Sequence, residues 1–261
     1  MRIVRFTPGP DAGLGQDPLF GVLEEDATIS IISGDPIYSG IQKTAAKIEL
    51  NKVRLLAPII PRSKVVCVGK NYADHAAEMG GVVPEEPIIF LKPNTSVIGP
   101  NDTIVWPDMS ERIDHEAELA IVIGRICKDV PIERVNDVIF GYTIANDVTA
   151  RDIQKKDGQW TRAKGFDTFC PIGPWVDTDF IPGTQKITAT IAGEVKQSAQ
   201  ISDMIFDVPT IVNFVSRVMT LLPGDIILTG TPAGIGPMVA GEKATMAIEG
   251  LGELTNKVSA K

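Results

Sequence analysis

The sequence predicts a β-rich α+β fold. Three observations support this class. Short apolar segments with strand character recur along the chain, few segments have helical periodicity, and the 24 glycines supply many turns. Many short strands with few helices favour this class over a doubly wound parallel sheet.

The first 57 residues are predicted to form a small N-terminal β domain. Residues 3–6, 20–23 and 28–32 have strand character, and turns rich in proline and glycine separate them. Residues 57–61 (Ala-Pro-Ile-Ile-Pro) are interpreted as a connector, because each proline biases its predecessor toward extended backbone. The larger second domain is therefore predicted to span residues 58–261.

The second domain is also predicted to be dominated by strands. Its strand segments are 64–68, 118–123, 141–145, 187–191, 225–229 and 244–248. Helices are predicted at 132–138 and 208–220, the second of which repeats apolar residues at helical spacing.

Composition excludes several classes of protein. The chain is 44% hydrophobic and 22% charged, an ordinary globular balance. Its apolar runs are far shorter than the roughly 20 residues of a membrane span, and the N-terminus lacks a signal-peptide apolar region. We therefore expect no membrane association and a cytoplasmic location. The net charge of −8 argues against nucleic acid as a partner, because phosphate contacts need a basic face.

The three cysteines predict neither a disulfide framework nor a zinc site. Cys67, Cys127 and Cys170 are odd in number and far apart in the chain. Each lies among apolar residues, which favours a buried, reduced thiol.

Three carboxylates form the first candidate site. Glu116 and Glu118 share one face of a predicted strand, because alternate residues of a strand point the same way. Asp147 follows another predicted strand. Three carboxylates without thiolates suit a hard cation, Mg²⁺ or Mn²⁺, better than zinc. The alternatives are an exposed acidic face for the glutamates and a helix N-cap for Asp147.

A second group of residues could move protons or stabilise charge. If residues 73–79 are helical, His75 and Glu78 lie one turn apart on the same face, and the carboxylate would orient the imidazole as a base. Lys164 lies in an aromatic, glycine-rich loop, where its ammonium could stabilise an oxyanion. The alternatives are a surface contact for the pair and a solvated side chain for Lys164. His115, the other histidine, should face away from the two glutamates.

The glycine-rich segment 230–236 follows a predicted strand. It has neither the ending of a P-loop nor the spacing of a dinucleotide fingerprint, so nucleotide binding is not expected. Its backbone N–H groups could still bind a carboxylate.

The order of these motifs resembles the fumarylacetoacetate hydrolase family between about residues 53 and 252. The chain is similar to the bacterial branch with acylpyruvate hydrolases, oxaloacetate decarboxylases and 2-hydroxyhepta-2,4-diene-1,7-dioate isomerases. The matching motifs are Gly69-Lys70-Asn71-Tyr72 with His75 and Glu78, Phe90-Leu91-Lys92-Pro93, Glu116 and Glu118, Asn146-Asp147 with Thr149-Ala150-Arg151-Asp152, Lys164-Gly165 with Asp167, Gly173-Pro174-Trp175, and Gly230-Thr231-Pro232.

The resemblance implies a mixed β-sandwich roll with a small N-terminal domain, in a homodimer. It implies Mg²⁺ as the cofactor, with Mn²⁺ or Ca²⁺ as substitutes, and a small anionic 2-oxo acid as the substrate. The implied roles are metal ligation by Glu116, Glu118 and Asp147, catalysis by His75, Glu78 and Lys164, and substrate contact by Arg151, Gln154 and Thr231.

The reaction implied by the resemblance is cleavage of a C–C bond beside a carbonyl through an enolate. Acylpyruvate hydrolysis and oxaloacetate decarboxylation both fit. Isomerisation of a 2-hydroxyhepta-2,4-diene-1,7-dioate is the alternative, and a non-catalytic metal-binding or anion-binding protein is a further one. Residues 79–87 and 151–163 are expected to set specificity, and residues 74–86 are expected to form a mobile lid over the substrate.

Overall fold

The computed structural model describes residues 1–78, 80 and 82–260. The described part is rich in strands, so the predicted β-rich α+β class is confirmed. The first ten strands are β1 (Arg2–Pro8), β2 (Leu19–Leu23), β3 (Thr28–Ile32), β4 (Lys43–Glu49), β5 (Val53–Leu55), β6 (Val65–Gly69), β7 (Ile88–Lys92), β8 (Val97–Ile98), β9 (Thr103–Ile104) and β10 (Ile113–His115). The later strands are β11 (Ala117–Ile123), β12 (Ile139–Asn146), β13 (Thr149–Ala150), β14 (Cys170–Asp177), β15 (Lys186–Ile191), β16 (Glu194–Gln200), β17 (Ile226–Leu228), β18 (Gly236–Pro237), β19 (Lys243–Ile248) and β20 (Gly252–Val258).

Helices are short in the described part of the chain. The α-helices are α1 (Pro36–Ser39), α2 (Ala73–Glu78), α3 (Arg151–Asp157), α4 (Thr161–Lys164) and α5 (Val208–Val218). Segments of 3₁₀ helix occur at Pro10–Ala12, Leu50–Lys52, Asn94–Ser96, Ile132–Asp137 and Ile201–Asp203. The helix predicted at 132–138 is therefore a 3₁₀ segment.

Among the described residues, no helix is long and apolar enough to cross a membrane.

The strands form one large sheet and two smaller ones. The large sheet has the order β4-β3-β2-β1-β14-β12-β11-β17-β6-β7, with β5 beside β1 and β8 beside β14. A five-stranded sheet has the order β16-β15-β19-β20-β9, and a three-stranded sheet has the order β13-β10-β18. The N-terminal strands join the large sheet, because β1 pairs with β14. The division between residues 57 and 58 stays a prediction.

The main core lies between the large and the five-stranded sheets. Strand β11 is buried along its whole length. Its Leu119, Ile121 and Ile123 share a core cluster with Ile187 and Met246 of the five-stranded sheet. Ala120, on the opposite face, packs in a second cluster, as expected for a strand whose side chains alternate. Glu118 lies two residues before Ala120 in the strand, so its side chain points to the same face, that of the second cluster.

Helix α5 packs into the main core through its apolar face. Asp207 caps its first turn by accepting a hydrogen bond from the backbone N–H of Thr210. Ile211, Val212 and Val215 are buried at helical spacing in the main core cluster. The helix ends at Val218, earlier than the predicted residue 220, because Met219 is extended.

Candidate active site

Several strand ends meet at one edge of the large sheet. Strands β6 and β17 are parallel neighbours, so both of their carboxyl ends lie at this edge. Strand β11 is antiparallel to β17 and to β12, so β11 starts and β12 ends there as well. The register pairs Ala117 with Asn146, and the backbone N–H of Asp147 donates to the carbonyl of Glu116 at 2.9 Å. Residues distant in sequence are thereby brought to one point.

The three predicted carboxylates converge at this edge. Glu116, Glu118 and Asp147 are buried, and one oxygen of each lies within 4.8 Å of the others. The alternatives of an exposed acidic face and of a helix N-cap are both wrong. Helix α3 has Ala150 at its N-cap and no side-chain cap.

Buried cations neutralise two of the three carboxylates. Lys164 Nζ donates to Glu116 Oε2 at 2.8 Å and to Asp147 Oδ2 at 2.5 Å. Lys92 Nζ donates to Asp147 Oδ1 at 2.5 Å, and Arg151 Nη2 donates to Glu116 Oε1 at 2.5 Å. Glu116 and Asp147 therefore each contact two cationic side chains.

Glu118 is the uncompensated member of the group. It accepts a hydrogen bond from the backbone N–H of Gly230 at 2.7 Å, and no lysine or arginine of the described residues forms an ion pair with it. Burial, together with the charges of Asp147 and Glu116, raises the pKa of Glu118 well above its usual value. The neutral, protonated form of Glu118 is therefore favoured unless a cation binds beside its carboxylate.

The charges around Glu116 and Lys164 shift their pKa values in opposite directions. Burial by itself would raise the pKa of Glu116, but Lys164 and Arg151 outweigh it, and the pKa falls below the usual value. Burial by itself would lower the pKa of Lys164, but Asp147 and Glu116 outweigh it, and the pKa rises. At neutral pH the lysine is therefore an ammonium and Glu116 is a carboxylate.

His75 and Glu78 form the expected pair on helix α2. His75 Nδ1 lies 3.3 Å from Glu78 Oε2, and the imidazole is buried. The helix spans Ala73–Glu78, whereas the predicted range reached Met79. Met79 and Gly81, within the predicted lid, lie outside the described residues.

The glycine-rich turn after β17 binds carboxylates of the protein itself. The backbone N–H of Gly234 lies 3.2 Å from both carboxylate oxygens of Glu78, and that of Gly230 donates to Glu118. This turn therefore connects the histidine pair with the carboxylate group.

The three predicted substrate contacts lie beside the carboxylates but already have protein partners. Arg151 Nε donates to Asp114 Oδ2 at 2.9 Å, and its Nη1 donates to Gln154 Oε1 at 2.6 Å. The Thr231 hydroxyl donates to the carbonyl of Ala117 at 2.9 Å and accepts from Gln197 Nε2 at 2.8 Å. Their role in substrate binding stays a prediction.

A cavity of about 30 Å³ lies over these groups. Every predicted site residue except Glu78 lines it, together with Lys70, Phe90 and Trp160. The space suits about two water molecules, since one water needs roughly 10–15 Å³ of such volume.

Sequence reasoning assigned no role to two buried residues of the matching motifs. Lys92 is 1% exposed and holds Asp147. The Asn71 amide donates to the carbonyls of Phe206 and Thr229 and accepts from the N–H of Phe206. A lysine at the end of an otherwise apolar strand is the available signal for Lys92.

His115 lies away from the carboxylates, as expected. It is 1% exposed, and its Nδ1 lies 3.2 Å from Gln197 Oε1. Burial lowers the pKa of its imidazole. His115 therefore helps to orient the glutamine that holds Thr231.

Comparison with known families matches nearly the whole chain. Residues 64–259 match the family described as fumarylacetoacetate (FAA) hydrolase, C-terminal. Residues 1–58 match the family described as Rv2993c-like, N-terminal.

The chain is similar in sequence to proteins from a bacterium and from a plant. Protein Rv2993c of Mycobacterium tuberculosis is 60% identical over 87% of this chain and 85% of its own length. The mitochondrial oxaloacetate tautomerase FAHD1 of Arabidopsis thaliana is 46% identical over 74% of this chain and 89% of its own length.

Two solved structures share the fold. The 5-carboxymethyl-2-hydroxymuconate delta-isomerase of Mycobacterium smegmatis is 48% identical, with a TM-score of 0.91 and 100% of each chain covered. The fumarylpyruvate hydrolase of Pseudomonas aeruginosa, solved in complex with Mn²⁺ and pyruvate, is 33% identical, with a TM-score of 0.73 over 80% of this chain and 92% of its own.

Proposed function

The chain belongs to the fumarylacetoacetate hydrolase family of enzymes, and we propose that it is a Mg²⁺-dependent enzyme that cleaves a C–C bond beside a carbonyl in a small 2-oxo acid. The observation that carries this proposal is the meeting of three buried carboxylates, a histidine–glutamate pair and a buried ammonium around one cavity.

The residues present fit a divalent cation. The candidate ligands, Glu116, Glu118 and Asp147, offer only oxygen, which suits Mg²⁺, with Mn²⁺ or Ca²⁺ as substitutes. The uncompensated carboxylate of Glu118 supplies the charge argument, because a cation beside it would replace the missing counter-ion. The relative solved with Mn²⁺ and pyruvate supports a divalent metal in this family.

A bound divalent cation would polarise the 2-oxo group of the substrate and favour its enolate. Lys164 supplies a second positive charge, from the protein itself. Its ammonium keeps its proton, because its pKa is raised, and it lies at the carboxylates themselves. It can therefore stabilise negative charge that develops on the substrate's enolate oxygen.

The pair of His75 and Glu78 moves the protons. When Nδ1–H donates to Glu78, the other ring nitrogen, Nε2, keeps a lone pair and can act as a base. In hydrolysis, Nε2 takes a proton from water while the water oxygen bonds to the distal carbonyl carbon. The C–C bond then breaks, its electron pair enters the enolate, and His75 returns the proton to the enolate carbon. Gly234 supports this step by holding Glu78.

Proton transfer without C–C cleavage is the second candidate function. The same base can remove a proton beside the carbonyl and return it elsewhere, which gives keto–enol tautomerisation or double-bond isomerisation. The similarity to an oxaloacetate tautomerase and to a muconate isomerase favours this candidate.

A substrate panel separates these reactions. The purified protein with Mg²⁺ would be given an acylpyruvate, the enol form of oxaloacetate and a 2-hydroxymuconate-type diene, with products identified by chromatography. Cleavage of the acylpyruvate, abolished by EDTA and restored by Mg²⁺, is expected. Tautomerisation or isomerisation without cleavage would select the second candidate. No metal-dependent turnover of any substrate would contradict both.

We also propose that the protein is a homodimer, as the resemblance implies. Multi-angle light scattering at micromolar concentration should give twice the mass of 28.1 kDa. A monomer mass would contradict it.

A further inference from the structure

A second crevice, of about 240 Å³, shares no lining residue with the catalytic cavity. It lies between the N-terminal strands and the body of the protein. Arg5, Asp35 and Tyr38 form one side, and Arg62 and the turn at Pro223 and Gly224 form the other.

Arg5 is a cation without a hydrogen-bonded counter-ion in the part of the chain that the structure describes. It is half-buried in strand β1, and its guanidinium donates no hydrogen bond to any residue that the structure describes. Burial lowers its pKa, and the charge of Asp35 offsets only part of that effect. The guanidinium therefore has N–H donors without an acceptor among the residues that the structure describes.

Asp35 is already engaged elsewhere. Its Oδ1 accepts a hydrogen bond from the backbone N–H of Ile37 at 3.0 Å and caps helix α1. Its Oδ2 lies 3.7 Å from Arg62 Nη2. With Arg5 and Arg62 facing one aspartate, the crevice has an excess of one positive charge.

The remaining walls are largely apolar and fixed in place. Phe20, Ile37 and Ile59 line the crevice. The Tyr38 ring lies 4.1 Å below the Arg62 guanidinium, and its hydroxyl donates to the carbonyl of Pro223 at 2.9 Å. The tyrosine thereby connects the N-terminal segment with the body across the crevice.

We propose that this crevice binds a small monocarboxylate with a compact apolar body. The carboxylate balances the single excess positive charge, and its two oxygens can accept paired hydrogen bonds from a guanidinium. The apolar body suits the isoleucine and aromatic walls. The crevice is smaller than the roughly 300–1,000 Å³ of pockets for drug-sized ligands, so the occupant is small. Because such a ligand contacts both sides, it stabilises the packing of the N-terminal strands on the body.

Benzoate is the probe, and benzamide is its neutral counterpart. Titration calorimetry and thermal unfolding would be run in EDTA, so that metal at the catalytic site plays no part. The wild-type protein should bind one benzoate per chain with a rise in melting temperature, and benzamide should bind at least 10-fold more weakly. Arg62→Gln, at an exposed position, and Arg5→Met should each weaken benzoate binding at least 10-fold. Arg125→Gln removes the same charge from an exposed site outside the crevice and should bind benzoate like the wild type.

Three results would overturn the proposal. If benzamide binds as tightly as benzoate, the charge of the ligand plays no role in binding. If Arg62→Gln binds benzoate as tightly as the wild type, benzoate binds outside this crevice. Absence of saturable binding, with Arg62→Gln changing the mass in solution, would show that a second copy of the chain covers the crevice. If Arg5→Met fails to fold, the benzamide comparison and Arg62→Gln still decide the proposal.

Discussion

The ammonium of Lys92 donates a hydrogen bond to Oδ1 of Asp147 at 2.5 Å, with both side chains almost completely buried. The opposite oxygen, Oδ2, accepts from Lys164 at the same distance. Asp147 is thus held between two lysines. A cation that binds Asp147 has to share it with at least one of them.

Lys92→Met should strongly destabilise the metal-free protein. Removing one partner of a buried ion pair costs about 3–5 kcal/mol, because the other charge stays buried and loses a partner. Chemical unfolding in EDTA measures the loss. Added Mg²⁺ should restore part of it by giving Asp147 a new counter-ion.

The matched control is Lys43→Met. Lys43 pairs with Glu24 at 2.6 Å but is 44% exposed, so its loss should cost less than about 1 kcal/mol. Equal losses for the two variants would refute the view that burial makes the Lys92 contact important.

Two isosteric changes at the proposed ligands should separate metal binding from stability. Glu118→Gln puts a neutral amide in place of a buried carboxyl group that has no paired cation among the described residues, so the metal-free protein should be as stable as the wild type or more stable. Asp147→Asn takes the counter-ion from Lys92 and Lys164, so the free energy of unfolding should fall by several kcal/mol.

Both of these variants should lose Mg²⁺ binding. We expect affinity to drop more than about 100-fold in titration calorimetry, since losing only an outer partner of a ligand costs 10–100-fold. If Glu118→Gln binds Mg²⁺ normally, Glu118 is not a ligand.

His75→Ala should remove most acylpyruvate hydrolysis. General-base help is worth about 10²–10⁴-fold, and the imidazole is held for that role by Glu78. Mg²⁺ affinity should stay nearly unchanged, because His75 is not a proposed ligand. Steady-state rates at saturating Mg²⁺ test this, and full activity without the imidazole would disprove the assignment.

Lys164→Ala should impair both acylpyruvate hydrolysis and decarboxylation of oxaloacetate. The ammonium is proposed to stabilise the enolate that the two reactions share. Decarboxylation needs no activated water, so it should depend less on His75 than on Lys164. A variant at Lys164 that slows one reaction and spares the other would contradict a shared enolate.

The cysteines should differ in reactivity toward a thiol reagent. Cys67 and Cys170 are buried, and burial raises the pKa of the Cys170 thiol to about 12. Because the thiolate is the reactive form, both should stay unlabelled near pH 8 until the protein unfolds. Cys127 is only partly buried and should be labelled first, although burial raises its pKa as well. Mass spectrometry of labelled peptides gives the order, and early labelling of Cys170 would contradict it.

Several strands could not be predicted because their sequences carry little apolar signal. Strand β4 (Lys43–Glu49) is mostly exposed, and β16 (Glu194–Gln200) buries only Gln197. Both form edges of their sheets, where pairing with a neighbour, rather than burial of apolar side chains, produces the strand. Strands with a clear apolar pattern, such as β11, were predicted within a residue.

By itself, the sequence determined the parts of the site that depend on local geometry. Alternation along a strand placed Glu116 and Glu118 on one face, and helical spacing placed His75 beside Glu78. The absence of thiolate ligands beside these carboxylates fixed the preference for a hard cation.

Only the tertiary structure decided which distant groups meet these residues. The order β12-β11-β17-β6 places Asp147 and Gly230 beside the two glutamates, and Lys92 reaches Asp147 from β7. Gly234 holds Glu78 across 156 positions of sequence. Strand order and register are set by the packing of the whole core, so a local sequence pattern could identify the charged residues but not the pairs that they form.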